Sequence, residues 1–174
     1  MSRKLVISFP GGRGAEEPLL YFMAKHFENM DYEKVFVSHP ISGNISIEAL
    51  FENAEIQLSE INFDEYEDVV FIGKSLGTIV ACQYREMHKI NASLILLAPI
   101  EGTLPYIKAD GNILLVSAGE MDRRLDTNVL QEVCVREGIN FYIEPDVGHR
   151  MEVKGDLEKD LRIITNVMHH LQSD

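Results

Sequence analysis

Short apolar runs alternate along the chain with longer segments in which apolar residues recur at helical spacing. The short runs are nearly continuous in hydrophobicity and bounded by Gly, Pro or Asn, which is typical of strands buried on both faces. The pattern predicts six such strands: Leu5–Phe9, Lys34–Ser38, Val69–Ile72, Ser93–Ala98, Ile113–Ser117 and Ile139–Ile143.

Amphipathic helices are predicted between the strands and after the last one. The first begins at Pro18, with Glu16 and Glu17 near the positive end of its dipole. Four more are predicted: Ile47–Leu58, the segment after Ser75, Thr127–Glu137 with Gly138 as its C-cap, and Leu157–Leu171. Repeated strand–helix units favour an α/β fold with three α/β/α layers and a doubly wound, mostly parallel sheet of about six strands.

Length and composition favour a globular domain. We expect residues 1–174 to form a single domain, because a chain of 174 residues with 45% hydrophobic residues can bury a substantial core. No apolar run reaches the roughly 18 residues of a membrane helix.

The net charge of −12 disfavours nucleic acid and anionic membrane surfaces as partners. Cys82 and Cys134 have no metal or redox spacing. A cytoplasmic location is the default expectation, and no oligomeric state is indicated.

The segment Gly73-Lys74-Ser75-Leu76-Gly77 follows the third predicted strand and opens the third helix. A serine between two glycines at such a junction can occupy a strained turn that exposes its hydroxyl at the carboxyl edge of the sheet. Ser75 is therefore a candidate nucleophile. The alternative is a tightly packed turn in which Ser75 caps the helix.

A serine nucleophile needs a base, and the base needs a group that orients it. Asp122 lies just after the fifth predicted strand and His149 follows the sixth. Because functional residues gather outside the carboxyl ends of strands in a doubly wound sheet, we expect both to meet Ser75 there. His149 is the predicted base and Asp122 the predicted acid.

Other residues compete for these two roles. The alternative acids are Glu120, Asp126 and Asp146, and Asp126 can instead cap the following helix. His149 can also be interpreted as a surface-loop histidine. Of the other histidines, His39 alone follows a predicted strand, but it precedes the serine in the sequence.

An oxyanion site requires two backbone N–H groups. Leu76 should supply one, and the glycine-rich loop after the first strand should supply the other from Gly12 or Arg13. A phosphate-binding turn is the less favoured interpretation of this loop, because its glycines match neither the P-loop nor the dinucleotide pattern. Lys74, Arg13 and Arg150 either place positive charge near the site or face solvent.

Four segments together resemble the α/β-hydrolase superfamily: Phe9-Pro10-Gly11-Gly12, Gly73-Lys74-Ser75-Leu76-Gly77, Gly119-Glu120-Met121-Asp122 and Gly148-His149. The resemblance spans nearly the whole chain and implies Ser75 as nucleophile, Asp122 as acid and His149 as base. Two features of the family are missing: the antiparallel hairpin that usually precedes the first strand, and a lid, since residues 100–112 have room for only a turn or small helix. The chain thus looks like the small, lidless bacterial members.

These observations predict a serine hydrolase that cleaves an ester, thioester or related acyl bond of a small molecule through an acyl-enzyme. No metal or organic cofactor is implied. The competing hypothesis is a non-catalytic binding or scaffold protein that has kept the fold.

Overall fold

The computed structural model describes residues 3–14, 17–39 and 45–171. Six strands within these ranges form one sheet in the order β2-β1-β3-β4-β5-β6, and every neighbouring pair is parallel. The strands are β1 Arg3–Phe9, β2 Glu33–Phe36, β3 Tyr66–Lys74, β4 Ser93–Leu97, β5 Ile113–Gly119 and β6 Phe141–Glu144. The helices are α1 Pro18–Glu28, α2 Ile47–Leu58, α3 Leu76–Met87, α4 Thr127–Glu137 and α5 Leu157–Leu171.

Helices cover both faces of the sheet, so the predicted three-layer α/β/α class is confirmed. Alternate residues of the central strands point to opposite faces, as the pleat requires. In β3, Val69 and Phe71 pack with the cluster that contains α2, α3 and α4. Val70 and Ile72 pack with the cluster that contains α1 and α5. This two-sided burial explains why the strands read as continuous apolar runs.

Each of the six strands differs from its predicted bounds by one to three residues at one end or both, and local hydrogen bonds account for the shifts of β6 and β2. Gly138 closes α4 in the left-handed conformation, at a φ of 66°, and the Ile139 N–H donates to the Cys134 carbonyl at 2.8 Å. Ile139 therefore follows the cap of α4 and lies outside the sheet, and β6 begins at Phe141. The second strand ends before Ser38, because the Ser38 N–H donates to the Gln57 side chain at 2.9 Å.

Two short 3-10 helices add to the predicted elements. One covers Phe63–Glu65, where the Asn62 side chain accepts from the Asp64 N–H at 3.3 Å, and it was not predicted. The other covers Glu101–Tyr106 and is the small helix expected between the fourth and fifth strands. The predicted Glu16 near the start of α1 lies outside the described residues.

The order of the strands determines which loops meet at the carboxyl edge of the sheet. β1 lies between β2 and β3, so the chain reverses its direction of travel across the sheet at this point. The loops that follow β1 and β3 adjoin there, which is where doubly wound sheets open a crevice. Among the helices in the described ranges, none combines the length and apolarity needed to cross a bilayer.

Candidate active site

Ser75 lies in the turn between β3 and α3, in a backbone conformation that L-residues rarely adopt. Its φ is 55° and its ψ is −123°. Such a turn persists only where the surrounding structure holds it. The Ser75 N–H donates to the Leu97 carbonyl at 3.0 Å, which extends the contact between β3 and β4. The hydroxyl makes no capping hydrogen bond, so the interpretation of Ser75 as a side-chain cap is wrong.

Close backbone packing holds this turn against the end of β1. A Cβ atom built on Gly77 would lie 2.0 Å from the Phe9 carbonyl oxygen, so only glycine fits at that position. A Cβ atom on Gly11 would lie 2.8 Å from the Ser75 Cβ and 3.4 Å from its Oγ. The glycine-rich loop after β1 therefore lies directly beside the candidate nucleophile.

His149 and Asp122 meet Ser75 at this edge. Ser75 Oγ is 2.8 Å from His149 Nε2, and His149 Nδ1 is 2.7 Å from Asp122 Oδ2. A carboxylate can only accept, so the proton lies on Nδ1 and Nε2 is left to accept from the serine hydroxyl. The Asp122 side chain is 0% exposed, and its Oδ1 accepts from the Arg124 N–H at 2.8 Å. The three residues thus form one continuous chain of hydrogen bonds.

Two of the three competing acids, Asp126 and Glu120, are engaged elsewhere, and Asp122 rather than Asp146 contacts His149. Asp126 accepts from the Asn128 N–H at 2.9 Å and caps α4, as its alternative interpretation predicted. Glu120 accepts from the N–H of Asp146 at 3.1 Å. The rival base, His39, donates from Nε2 to the Gly11 carbonyl at 2.7 Å. Its ring therefore supports the loop after β1.

The three predicted oxyanion donors lie on the two segments that border Ser75. Leu76 is the first residue of α3. Gly12 and Arg13 lie in the loop after β1, where the Gly14 N–H closes a turn onto the Gly11 carbonyl at 3.1 Å. Gly11, the loop residue packed against Ser75, directly precedes Gly12. The roles of Leu76, Gly12 and Arg13 as donors stay predictions.

The three basic residues near the motif have different surroundings. Lys74 is buried and forms an ion pair with Glu17 at 3.0 Å, so its side chain does not face solvent. Arg13 pairs with Glu152 at 3.0 Å, and this hydrogen bond raises the pKa of its guanidinium. That pair joins the loop after β1 to the segment after His149. Arg150 is exposed.

Two buried threonine hydroxyls, which the sequence did not indicate, form a hydrogen-bonded series that ends at the backbone of the Ser75 turn. The Thr78 hydroxyl donates to the Ser75 carbonyl at 2.6 Å and lies 2.7 Å from the buried Thr103 hydroxyl. Thr103 in turn accepts from the Ile100 N–H at 3.3 Å. Two isolated threonines 25 residues apart carry no recognisable motif. Thr103 belongs to the 3-10 helix after β4, so that connection contacts the site.

A surface groove lies beside the loop that carries Asp122, and none of Ser75, Asp122 and His149 lines it. The groove, of about 270 Å³, lies between the Glu101–Tyr106 helix and the segment 123–129, and Arg123 and Arg124 are among its lining residues. No group of three or more His, Cys, Asp or Glu side chains within the described ranges is arranged to hold a metal ion.

The whole chain is similar to solved structures of α/β hydrolases. An α/β serine hydrolase homologue from Coxiella burnetii has 16% identity and a TM-score of 0.68, with 96% of this chain and 86% of that chain covered. Est1E from Butyrivibrio proteoclasticus has 14% identity and a TM-score of 0.63, with 99% and 90% covered. Mouse α/β hydrolase domain-containing protein 10 has 10% identity and a TM-score of 0.63, with 96% and 89% covered.

Sequence comparison adds no relative to these structures. No protein-family model matches the sequence, and no curated protein matches it. Backbone similarity over nearly the whole length, at 10–16% identity, establishes architecture. The chain therefore has the α/β-hydrolase fold.

Proposed function

We propose that this chain is a serine hydrolase that cleaves an ester, thioester or related acyl bond through an acyl-enzyme. One observation carries the proposal: the hydrogen-bonded chain from Ser75 Oγ through His149 to Asp122, with distances of 2.8 and 2.7 Å. Three side chains from three separate loops meet in the order that nucleophile, base and orienting acid require.

The reaction follows from this geometry. Ser75 Oγ attacks the acyl carbon while its proton passes to His149 Nε2. Asp122 stabilises the resulting imidazolium through its bond to Nδ1. His149 then protonates the departing alcohol or thiol, which leaves an acyl group on Ser75 Oγ. A water molecule attacks that acyl group as His149 takes its proton, and the acid is released when the proton returns to Ser75.

The negative charge that develops on the carbonyl oxygen needs donors that are already in place. The N–H of Leu76 and the N–H of Gly12 or Arg13 take this role in the proposal. Its support is the contact of Gly11 with Ser75, which holds the loop after β1 beside the nucleophile. Est1E, one of the structural neighbours, has been solved with ferulic acid bound.

The test is the Ser75→Ala variant with p-nitrophenyl acetate as substrate. We expect hydrolysis to fall to the background rate, with the circular dichroism spectrum and melting temperature retained. Hydrolysis by Ser75→Ala at the rate of the unsubstituted chain contradicts the mechanism.

A fluorophosphonate separates this proposal from a non-catalytic binding or scaffold protein. The unsubstituted chain should be labelled at a ratio of one probe per chain, and Ser75→Ala should not be labelled. A chain that hydrolyses none of a panel of short and long acyl esters, thioesters and amides, and that leaves the probe unreacted, fits the binding protein instead.

A further inference from the structure

Lys74 is the residue before the candidate nucleophile, and no step of the proposed reaction uses it. Its side chain is only 2% exposed, and that of its partner Glu17 is 5% exposed. A buried ion pair loses two shells of water, so it is a costly way to stabilise a fold. Such a pair directly beside a strained turn calls for a further role.

The pair joins two segments of the site. In β3, Val70 and Ile72 point to the face covered by α1 and α5, and the pleat places Lys74 on the same face. Glu17 is the residue before α1 and ends the loop that follows β1. The Glu17 carboxylate makes no capping hydrogen bond to α1. Its side chain is therefore directed to the ammonium rather than to its own helix.

Lys74 lies against both the start and the end of the loop after β1. At its start, a Cβ atom on Gly11 would lie 3.0 Å from the Lys74 carbonyl oxygen and 2.8 Å from the Ser75 Cβ. At its end, Glu17 pairs with the Lys74 ammonium at 3.0 Å. Gly12 and Arg13, which carry the proposed oxyanion donor, lie between these two contacts.

We infer that the Glu17–Lys74 ion pair has a positioning role: it sets the distance between the loop after β1, which carries the proposed oxyanion donor, and Ser75. The inference rests on the proposed function. Opposite charges attract strongly where water is excluded, so this pair restrains the separation of the two segments that carry it, although Glu17 Oε2 makes no hydrogen bond of good geometry. A displacement of a donor by about 1 Å can lower the rate of the chemical step about a hundredfold.

The experiment compares single and double replacements. Glu17→Gln and Lys74→Met each leave one buried charge without its partner, so both should lower the melting temperature and kcat. The double variant Glu17→Leu with Lys74→Met replaces the pair by apolar side chains. It should melt at or above the temperature of the unsubstituted chain. Its kcat should still be reduced about tenfold to a hundredfold, with KM changed less than about twofold.

The double variant decides between positioning and mere stabilisation. If kcat recovers together with the melting temperature, the pair only stabilises the fold and the inference is overturned. Lys34→Met is the matched control, because it removes the 3.1 Å pair between Lys34 and Glu28, away from the site. It should leave kcat unchanged. Fluorophosphonate labelling of the unsubstituted chain is measured first, since a chain that is not labelled at Ser75 removes the proposed function and this inference with it.

Discussion

At the scale of single residues, the site depends on side chains whose partners leave them one orientation. Asp122 is the clearest case, because both of its carboxylate oxygens are occupied: Oδ2 by His149 and Oδ1 by the N–H of Arg124. The second bond fixes the plane of the carboxylate within its own loop. The imidazole is then held by Asp122 on one side and meets Ser75 on the other.

This arrangement predicts the effect of Asp122→Asn. The amide keeps the shape of the side chain, but its NH₂ group can donate to Nδ1 and so favour the tautomer in which Nε2 carries the proton. That tautomer cannot accept the proton of Ser75, and kcat should fall by about 10³- to 10⁴-fold. Steady-state kinetics with p-nitrophenyl acetate measures the loss. A kcat within about tenfold of the unsubstituted value would mean that Asp122 does not orient the base.

At the scale of elements, the junction of β3 and α3 is built against the end of β1. The Gly77 backbone packs so closely against the Phe9 carbonyl that no side-chain atom fits between the two segments. The turn at Ser75 therefore cannot relax without moving β1, a central strand of the sheet. The strained conformation of Ser75 is thus held in place by a buried central strand.

Gly77→Ala tests this coupling. Its Cβ atom would meet backbone oxygen at 2.0 Å, and backbone cannot rotate away as a side chain can. We expect destabilisation of more than about 3 kcal/mol, together with loss of hydrolysis, measured by urea unfolding and kinetics. Gly138→Asn is the matched control: its Cβ meets nothing within 4 Å, and Asn tolerates the left-handed conformation at the end of α4. Gly138→Asn should lower the free energy of unfolding by less than about 1 kcal/mol. Equal losses in the two variants would mean that the contact between Gly77 and Phe9 does not hold the turn.

The local pattern of the sequence predicted the elements well because burial on both faces and helical spacing are local properties. It also predicted which three side chains would approach one another, since parallel strands present their ends at one edge. It could not determine the surroundings of Lys74, whose partner Glu17 is distant in the sequence and meets it only after α1 packs on the sheet. The start of β6 was misplaced because Ile139 is an apolar core residue whose N–H donates to the end of α4 and not to a neighbouring strand.

At the scale of the whole molecule, acidic surface charge and buried weak acids make stability depend on pH in the same direction. The net charge is −12 at pH 7 and becomes more negative as pH rises. Burial raises the pKa of Cys82 from 9.0 to about 12 and that of Cys134 from 9.0 to about 11. Burial is also the largest cause that raises the pKa of Tyr84 and of Tyr142 from 10.0 to about 12.

These shifts predict that the fold loses stability in alkali. Above pH 9 to 10 the unfolded chain releases protons from groups that the folded chain keeps protonated until about pH 11 to 12. The unfolded state then binds fewer protons, so the free energy of unfolding falls as pH rises, by up to about 1.4 kcal/mol per pH unit for each group.

Tyr84→Phe removes one buried acid and should move the midpoint of alkaline unfolding upward by a few tenths of a pH unit. Tyr21→Phe is the control, because that side chain is 45% exposed. Circular dichroism between pH 7 and 12 measures both midpoints, and equal shifts in the two variants would show that burial is not the cause.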